Sequence, residues 1–359
     1  MNDDFAITDK ALEPLLKAAS GNVHVLLKLA EQSRKRGDLT RAIAIAKQAR
    51  DAAPTDPEIV KMANEIISRA IPSWHVSLVK DIQRNDAFEA ALIRNVKPGM
   101  RVLDVGAGTG LLAMMAARAG ADNVYSCELN PALASVAKDI VRTNGFEGKI
   151  TIIAKNSRDI NADADMGGLA DLVVAEILGN DLVCEHVLPA MRDVVQRLAK
   201  PGARLIPQSG DIRIAPAFWD DLDKRRMDNT AGFDLSLFNQ LQRPSYKLHS
   251  ADSALHLRGT ATNLFSFNFS DTHIPEERTM IELVADGRPV NGIIQWIRLQ
   301  MDEEGELENK PGPDVRSSWS CLLHPLPEPV ETVLGQRLQI GATHKGNRLR
   351  LWPVSSKTA

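Results

Sequence analysis

Apolar residues recur at helical spacing from Asn22 to Ala70, and the pattern breaks twice, at Gly37-Asp38 and between Pro54 and Pro57. The reading is helix, turn, helix, turn, helix. Beyond Pro72 another helical pattern runs through Asp81 and Arg84 to a turn at Lys97-Pro98-Gly99. Short β-branched runs then alternate with helical stretches: VLDV before LLAMMAARAG, then NVYSC, KITII and the buried-looking run from Asp171 to Ala175. Strands alternating with helices predict an α/β domain with a parallel sheet. Past Pro201-Gly202 the helical period gives way to alternating runs such as NLFSFNFS and NGIIQWIRLQMD, which predict a barrel or sandwich. Three parts follow: a helical segment at 1–71, an α/β domain at 72–207 and a β domain at 208–359, with an insertion at about 217–242.

The chemistry begins where the first predicted strand ends. Gly106, Gly108 and Gly110 are spaced two apart between that strand and a helix, so the backbone can turn with positive φ and approach a ligand at the helix N-terminus. A dinucleotide fingerprint needs a small residue where Leu111 stands, which makes NAD the weaker reading. Glu128 closes the next apolar run, twenty-two residues after Gly106, where a carboxylate can accept both hydroxyls of a ribose. This loop, with Asp104 inside the first strand and Glu128 after the second, resembles the class I S-adenosylmethionine methyltransferases. The resemblance implies a Rossmann-like fold and S-adenosyl-L-methionine as cofactor. In that layout the loop after the third strand faces the adenine, which nominates Asn156 and Ser157.

Two further stretches narrow the resemblance. Trp74-His75 followed by Asp81, Arg84-Asn85 and Phe88 is similar to the helix that covers the cofactor in protein arginine N-methyltransferases. In that family the arginine pairs with the cofactor's carboxylate, which implies this role for Arg84. Glu176 stands at the end of the fourth predicted strand, and Glu185 follows nine residues later with Gly179 between them. This resembles the family's double-glutamate loop, which clasps a substrate guanidinium. The expected activity is therefore methyl transfer to arginine, with Glu176 and Glu185 catalytic and no metal. Methylation of a small molecule, or a cofactor-binding repeat scaffold with little activity, are the alternatives. One departure bears on the substrate side: where the family has Thr-His-Trp, this chain has Ser317-Ser318-Trp319, so Asp81 lacks its histidine partner.

Ala42 and Ala49, seven apart and followed by Pro54, resemble a tetratricopeptide repeat, matching the family branch that carries such repeats at its N-terminus. One repeat cannot bury its own face, so these helices should pack on the catalytic body or on another chain, with a peptide partner as one prospect. Phe233, Leu235, Leu237 and Phe238 lie at the position of the family's dimerisation arm, which implies a homodimer. The balance of 43 basic and 46 acidic residues gives a net charge of -3 and no global field for nucleic acid. Three cysteines without CxxC spacing fit a reducing compartment. No apolar run approaches the roughly 18 residues of a membrane span, and the start of the chain is too polar for a signal peptide. A cytoplasmic protein is expected.

Overall fold

The computed structural model describes residues 21–69 and 74–354; the polar start of the chain and the boundary at Pro72 lie outside them. The first unit is three helices, α1 (Val23–Lys35), α2 (Leu39–Ala52) and α3 (Pro57–Arg69). Asn22 and Asp38 cap the first two by accepting from the amides of Val25 and Arg41. Leu26, Ala30, Ala42, Ala49, Ile59 and Ala63 close on one another in a small core. The unit's remaining apolar face, Leu39, Ile43 and Ile67, packs on Ala132 of the next domain. Part of the helical unit's apolar face is thus covered within the same chain.

The next helical stretch is not continuous. It divides into α4 (Trp74–Val79) and α5 (Ile82–Asn95), because Asp81 leaves the helix and caps α5, its carboxylate accepting from the Arg84 amide at 2.9 Å. Five parallel strands follow, β1 (Arg101–Val105), β2 (Asn123–Cys127), β3 (Ile150–Ile153), β4 (Ala170–Ala175) and β5 (Ala199–Ile206), in the order β3-β2-β1-β4-β5. Between them lie α6 (Leu111–Arg118), α7 (Pro131–Thr143), α8 (Ala162–Met166) and α9 (Val187–Arg197). Leu172 to Ala175 are all buried, as expected of a strand covered on both faces. Strand order reverses between β1 and β4, the place where open α/β sheets leave a crevice.

After β6 (Ser209–Trp219) comes an irregular segment carrying a ribbon of β7 (Asn229–Thr230) and β8 (Phe233–Asp234). β6 continues through Trp219 because Ala215, Ala217 and Trp219 fill a core of their own, so the irregular segment starts at Asp220 rather than at 217. The remaining strands are β9 (Tyr246–Leu248), β10 (Leu255–Leu257), β11 (Thr262–Asn268), β12 (Glu277–Asp286) and β13 (Val290–Gln300). The last are β14 (Glu306–Glu308), β15 (Cys321–Val330), β16 (Leu334–His344) and β17 (Leu349–Pro353). An antiparallel sheet runs β10-β6-β13-β15-β9, with β11 added on β6 and β14 on β13, and a second sheet is β12-β16-β17. β13 is buried on both faces. Ile293, Ile297 and Leu299 join the main core shared with the α/β domain, while Ile294 and Trp296 join the smaller one.

Candidate active site

A cavity of about 900 Å³ opens beyond the carboxyl ends of β1 to β4, roofed by His75, Leu78 and Arg84 and closed on the far side by Ser318 and Trp319. Gly106 and Gly108, with φ of 90° and 53°, turn its floor. A Cβ on Gly106 would fall 2.7 Å from Ile177 Cγ2, so the close approach requires glycine. The Gly108 amide donates to the Glu128 carboxylate at 3.0 Å, and the Asn130 amide donates to its other oxygen at 2.8 Å. Glu128 is thereby fixed on the cavity wall. Asn156 and Ser157 lie on the same wall, the Asn156 side chain accepting from the Arg158 amide at 3.0 Å.

Two residues of the predicted set lie behind this surface. Gly110 starts α6 with φ of 80°, and its Cα faces Val141 of α7 instead of the cavity. Asp104 is fully buried within β1, where it accepts from the Ser126 hydroxyl at 2.6 Å and leaves Oδ1 without a partner among the described residues. Burial pushes its carboxyl up to about 6. Neither residue lines the cavity.

Glu176 and Glu185 do line it, together with the residues between β4 and α9 that carry them. Glu176 is buried, and its carboxylate accepts from Arg84 Nη2 at 2.7 Å. Burial pushes it up to about 7, with the Arg84 charge opposing and the nearby Glu185 adding to the rise. Glu185 is also raised, first by desolvation and then by Asp181, while Lys247 pulls the other way. The loop is held in an unusual shape. Leu182 and His186 have φ of 69° and 63°, the Leu182 amide donates to the Gly179 carbonyl at 2.9 Å, and a Cβ on Gly179 would collide with Cys184 Sγ. The β domain ties it down: Trp319 Nε1 donates to the Leu178 carbonyl at 3.1 Å, and the Ser320 amide donates to Asn180 Oδ1 at 2.6 Å.

Arg84 lies beneath this loop, donating also to Asn85 Oδ1 at 2.8 Å and stacked over Phe88. Its Nε is buried without a partner among the described residues. Asp81 accepts from the Ser318 main-chain amide at 2.6 Å, so the aspartate expected to lack a histidine partner is met by a backbone N–H instead. Lys247, Asn180, Ser320 and Lys155 escape a reading of the sequence. Lys247 sits in β9 between Tyr246 and Leu248, and alternation there says only that it faces outward.

A five-stranded parallel sheet with a glycine turn after β1 and a carboxylate fixed after β2 defines a Rossmann-like nucleotide-binding fold. Residues 88–213 match the family described as ribosomal protein L11 methyltransferase (PrmA). The chain is 33% identical over 305 residues to an arginine N(omega)-methyltransferase of Streptomyces achromogenes subsp. streptozoticus, covering 83% of this chain and 84% of that one. It is 30% identical over 260 residues to protein arginine N-methyltransferase 7 of Drosophila grimshawi, covering 64% of this chain but about a third of that longer protein, 36%. In fold it is similar to the PRMT1 enzyme-prozyme heterotetrameric complex with AdoHcy of Trypanosoma brucei, with a TM-score of 0.69, 24% identity, and 79% and 93% of the two chains covered. Arabidopsis thaliana protein arginine methyltransferase 10 is similar at a TM-score of 0.65 and 20% identity, over 74% and 86%.

This chain belongs to the arginine N-methyltransferase family. The residues lining the cavity fit the S-adenosylmethionine that the sequence implies. The glycine floor admits a close backbone approach, Glu128 presents a carboxylate on the cavity wall, and the orphaned Nε of Arg84 wants an anion. No helix among the described residues is long and apolar enough to cross a membrane.

Proposed function

We propose that the chain transfers a methyl group from S-adenosylmethionine to a guanidinium nitrogen of arginine in a protein or peptide. The observation that carries this is the placement of Glu176 and Glu185, from one loop, on the same cavity as the glycine turn and Glu128. The cofactor, when bound, supplies an electrophilic sulfonium methyl. Gly106, Gly108, Glu128, Asn156 and Ser157 hold its nucleoside part, and Arg84 takes its carboxylate. Asp104 and Gly110 act one layer back, shaping the strand end and the start of α6. Glu176 and Glu185 share the guanidinium charge through bidentate bonds, which fixes one terminal nitrogen toward the methyl donor. They also keep the positive charge away from that nitrogen, so its lone pair stays available.

The same reading extends to the rest of the molecule. We assign 1–71 to a tetratricopeptide-like cap, 72–207 to cofactor binding and 208–359 to substrate recognition. Phe233, Leu237, Phe238 and Leu241 stand exposed together on the irregular segment, which supports a homodimer formed through it. The separated cysteines support a reducing, cytoplasmic setting.

Transfer of radiolabelled methyl to arginine-rich protein tests the assignment. Glu176→Gln and Glu185→Gln should each abolish transfer while calorimetry still shows cofactor binding. A wild-type chain that labels no arginine in any protein or peptide would overturn it.

A further inference from the structure

A second cavity of about 520 Å³ opens beside the first, and Asn180, Cys184 and Lys247 line both. Its outer wall comes from the base of the irregular segment, with Arg225 and Arg243 placed around Trp219 and Tyr246. The wall is built of mutually supported groups. The Trp219 and Tyr246 rings lie 5.6 Å apart, Arg225 stacks over Trp219, and the Tyr246 hydroxyl donates to Gln242 Oε1 at 2.7 Å.

Its charge is one-sided. Arg225, Arg243 and Lys247 face a single lining acid, Asp181, whose Oδ1 already accepts the Cys184 amide at 2.8 Å. None of the three cations forms an ion pair among the described residues. The neighbouring cavity carries lining groups of both signs, and its acids Glu176 and Glu185 stand on the loop that also supplies the shared Asn180 and Cys184, with Lys247 lining both cavities. A pair of acids on a loop shared with a cation-lined chamber suits one molecule carrying a cation and an anion a few bonds apart.

We infer that the second cavity is an anion subsite, taking a carboxylate of the same substrate whose guanidinium lies between Glu176 and Glu185, with Arg243, Arg225 and Lys247 as its partners. This rests on the activity proposed above. The carboxylate has two chemical sources, the α-carboxylate of free arginine or an acidic side chain flanking arginine in a peptide.

Two matched pairs separate these sources. L-Arginine and agmatine differ only in the carboxylate, and an arginine peptide flanked by Glu or by Gln differs only in one charge. The carboxylate-bearing member of at least one pair should show a KM about tenfold lower, the size of a charge-assisted contact. Preference within the first pair alone identifies the α-carboxylate, and within the second alone an acidic side chain. Arg243→Gln and Arg225→Gln should shrink the preference, with unfolding midpoints showing that the exposed substitutions leave the fold intact. Titration calorimetry of all four compounds, with S-adenosylhomocysteine present, reads the same preference as a ratio of Kd without turnover. Equal KM and equal Kd within both pairs overturn the subsite. Unequal Kd without methyl transfer upholds it and overturns the activity instead.

Discussion

Lowering the pH from 8 to 6 should switch the enzyme off through Glu176. Clasping a guanidinium requires the ionised carboxylate, since a protonated one donates where it should accept and carries no charge to share. An ordinary glutamate near 4.5 stays more than about 95% ionised throughout this range and would leave the rate unchanged. Two effects compete at Glu176. Desolvation favours the neutral acid, and Arg84 at 2.7 Å favours the anion. With desolvation ahead and the carboxyl at about 7, roughly 10% is ionised at pH 6 and roughly 90% at pH 8. Activity is thus lost as pH falls through about 7, and kcat/KM should drop about tenfold over the two units. The assay is initial S-adenosylhomocysteine formation at saturating cofactor and substrate below its KM, with circular dichroism confirming the folded state at each pH. The arginine guanidinium does not titrate here, so it cannot produce the slope. A profile flat from pH 6 to 8 would refute the reasoning, showing that Arg84 outweighs burial.

Asp104→Asn should stabilise the protein at high pH. The folded-state carboxyl at about 6, against 3.8 ordinarily, means that stability present below about 3.8 is lost as pH rises through 6, about 3 kcal/mol in all. Asparagine keeps an acceptor for Ser126 without ionising, so its urea midpoint should exceed wild type at pH 8 and the gap should shrink toward pH 4; an equal gap throughout contradicts the argument. Gly106→Ala combines an unfavourable φ, about 1–2 kcal/mol by itself, with a 2.7 Å approach to Ile177 Cγ2. Calorimetry should show cofactor affinity at least about tenfold weaker, and unchanged affinity would remove the glycine turn from the site. Asp81→Ala loses both the cap on α5, about 1 kcal/mol, and the tie to Ser318. Ser318→Ala keeps the main-chain donor, so kcat should fall in the first variant and stay within about twofold in the second.

How far the site could be read from residues alone depends on which atoms build each half. The parallel sheet and its glycine turn were legible because strand–helix alternation and positive φ leave local marks, and Glu128 and Glu176 were legible because each directly follows a strand. Asp81 was read inside a continuous helix, since nothing in its neighbours distinguishes a capping aspartate from a solvated one. The geometry at Glu185 had no local mark either. Leu182 and His186 occupy a region that costs a non-glycine residue about 1–3 kcal/mol, and the loop keeps it because Trp319 and Ser320, more than a hundred positions later, hold Leu178 and Asn180 in place. The cofactor half of the cavity is therefore encoded locally. The loop that carries Glu185 is held in place by contacts from the β domain. It follows that changes in the β domain near Trp319 or β9 should retune substrate recognition while leaving cofactor binding intact, a separation that local sequence cannot express.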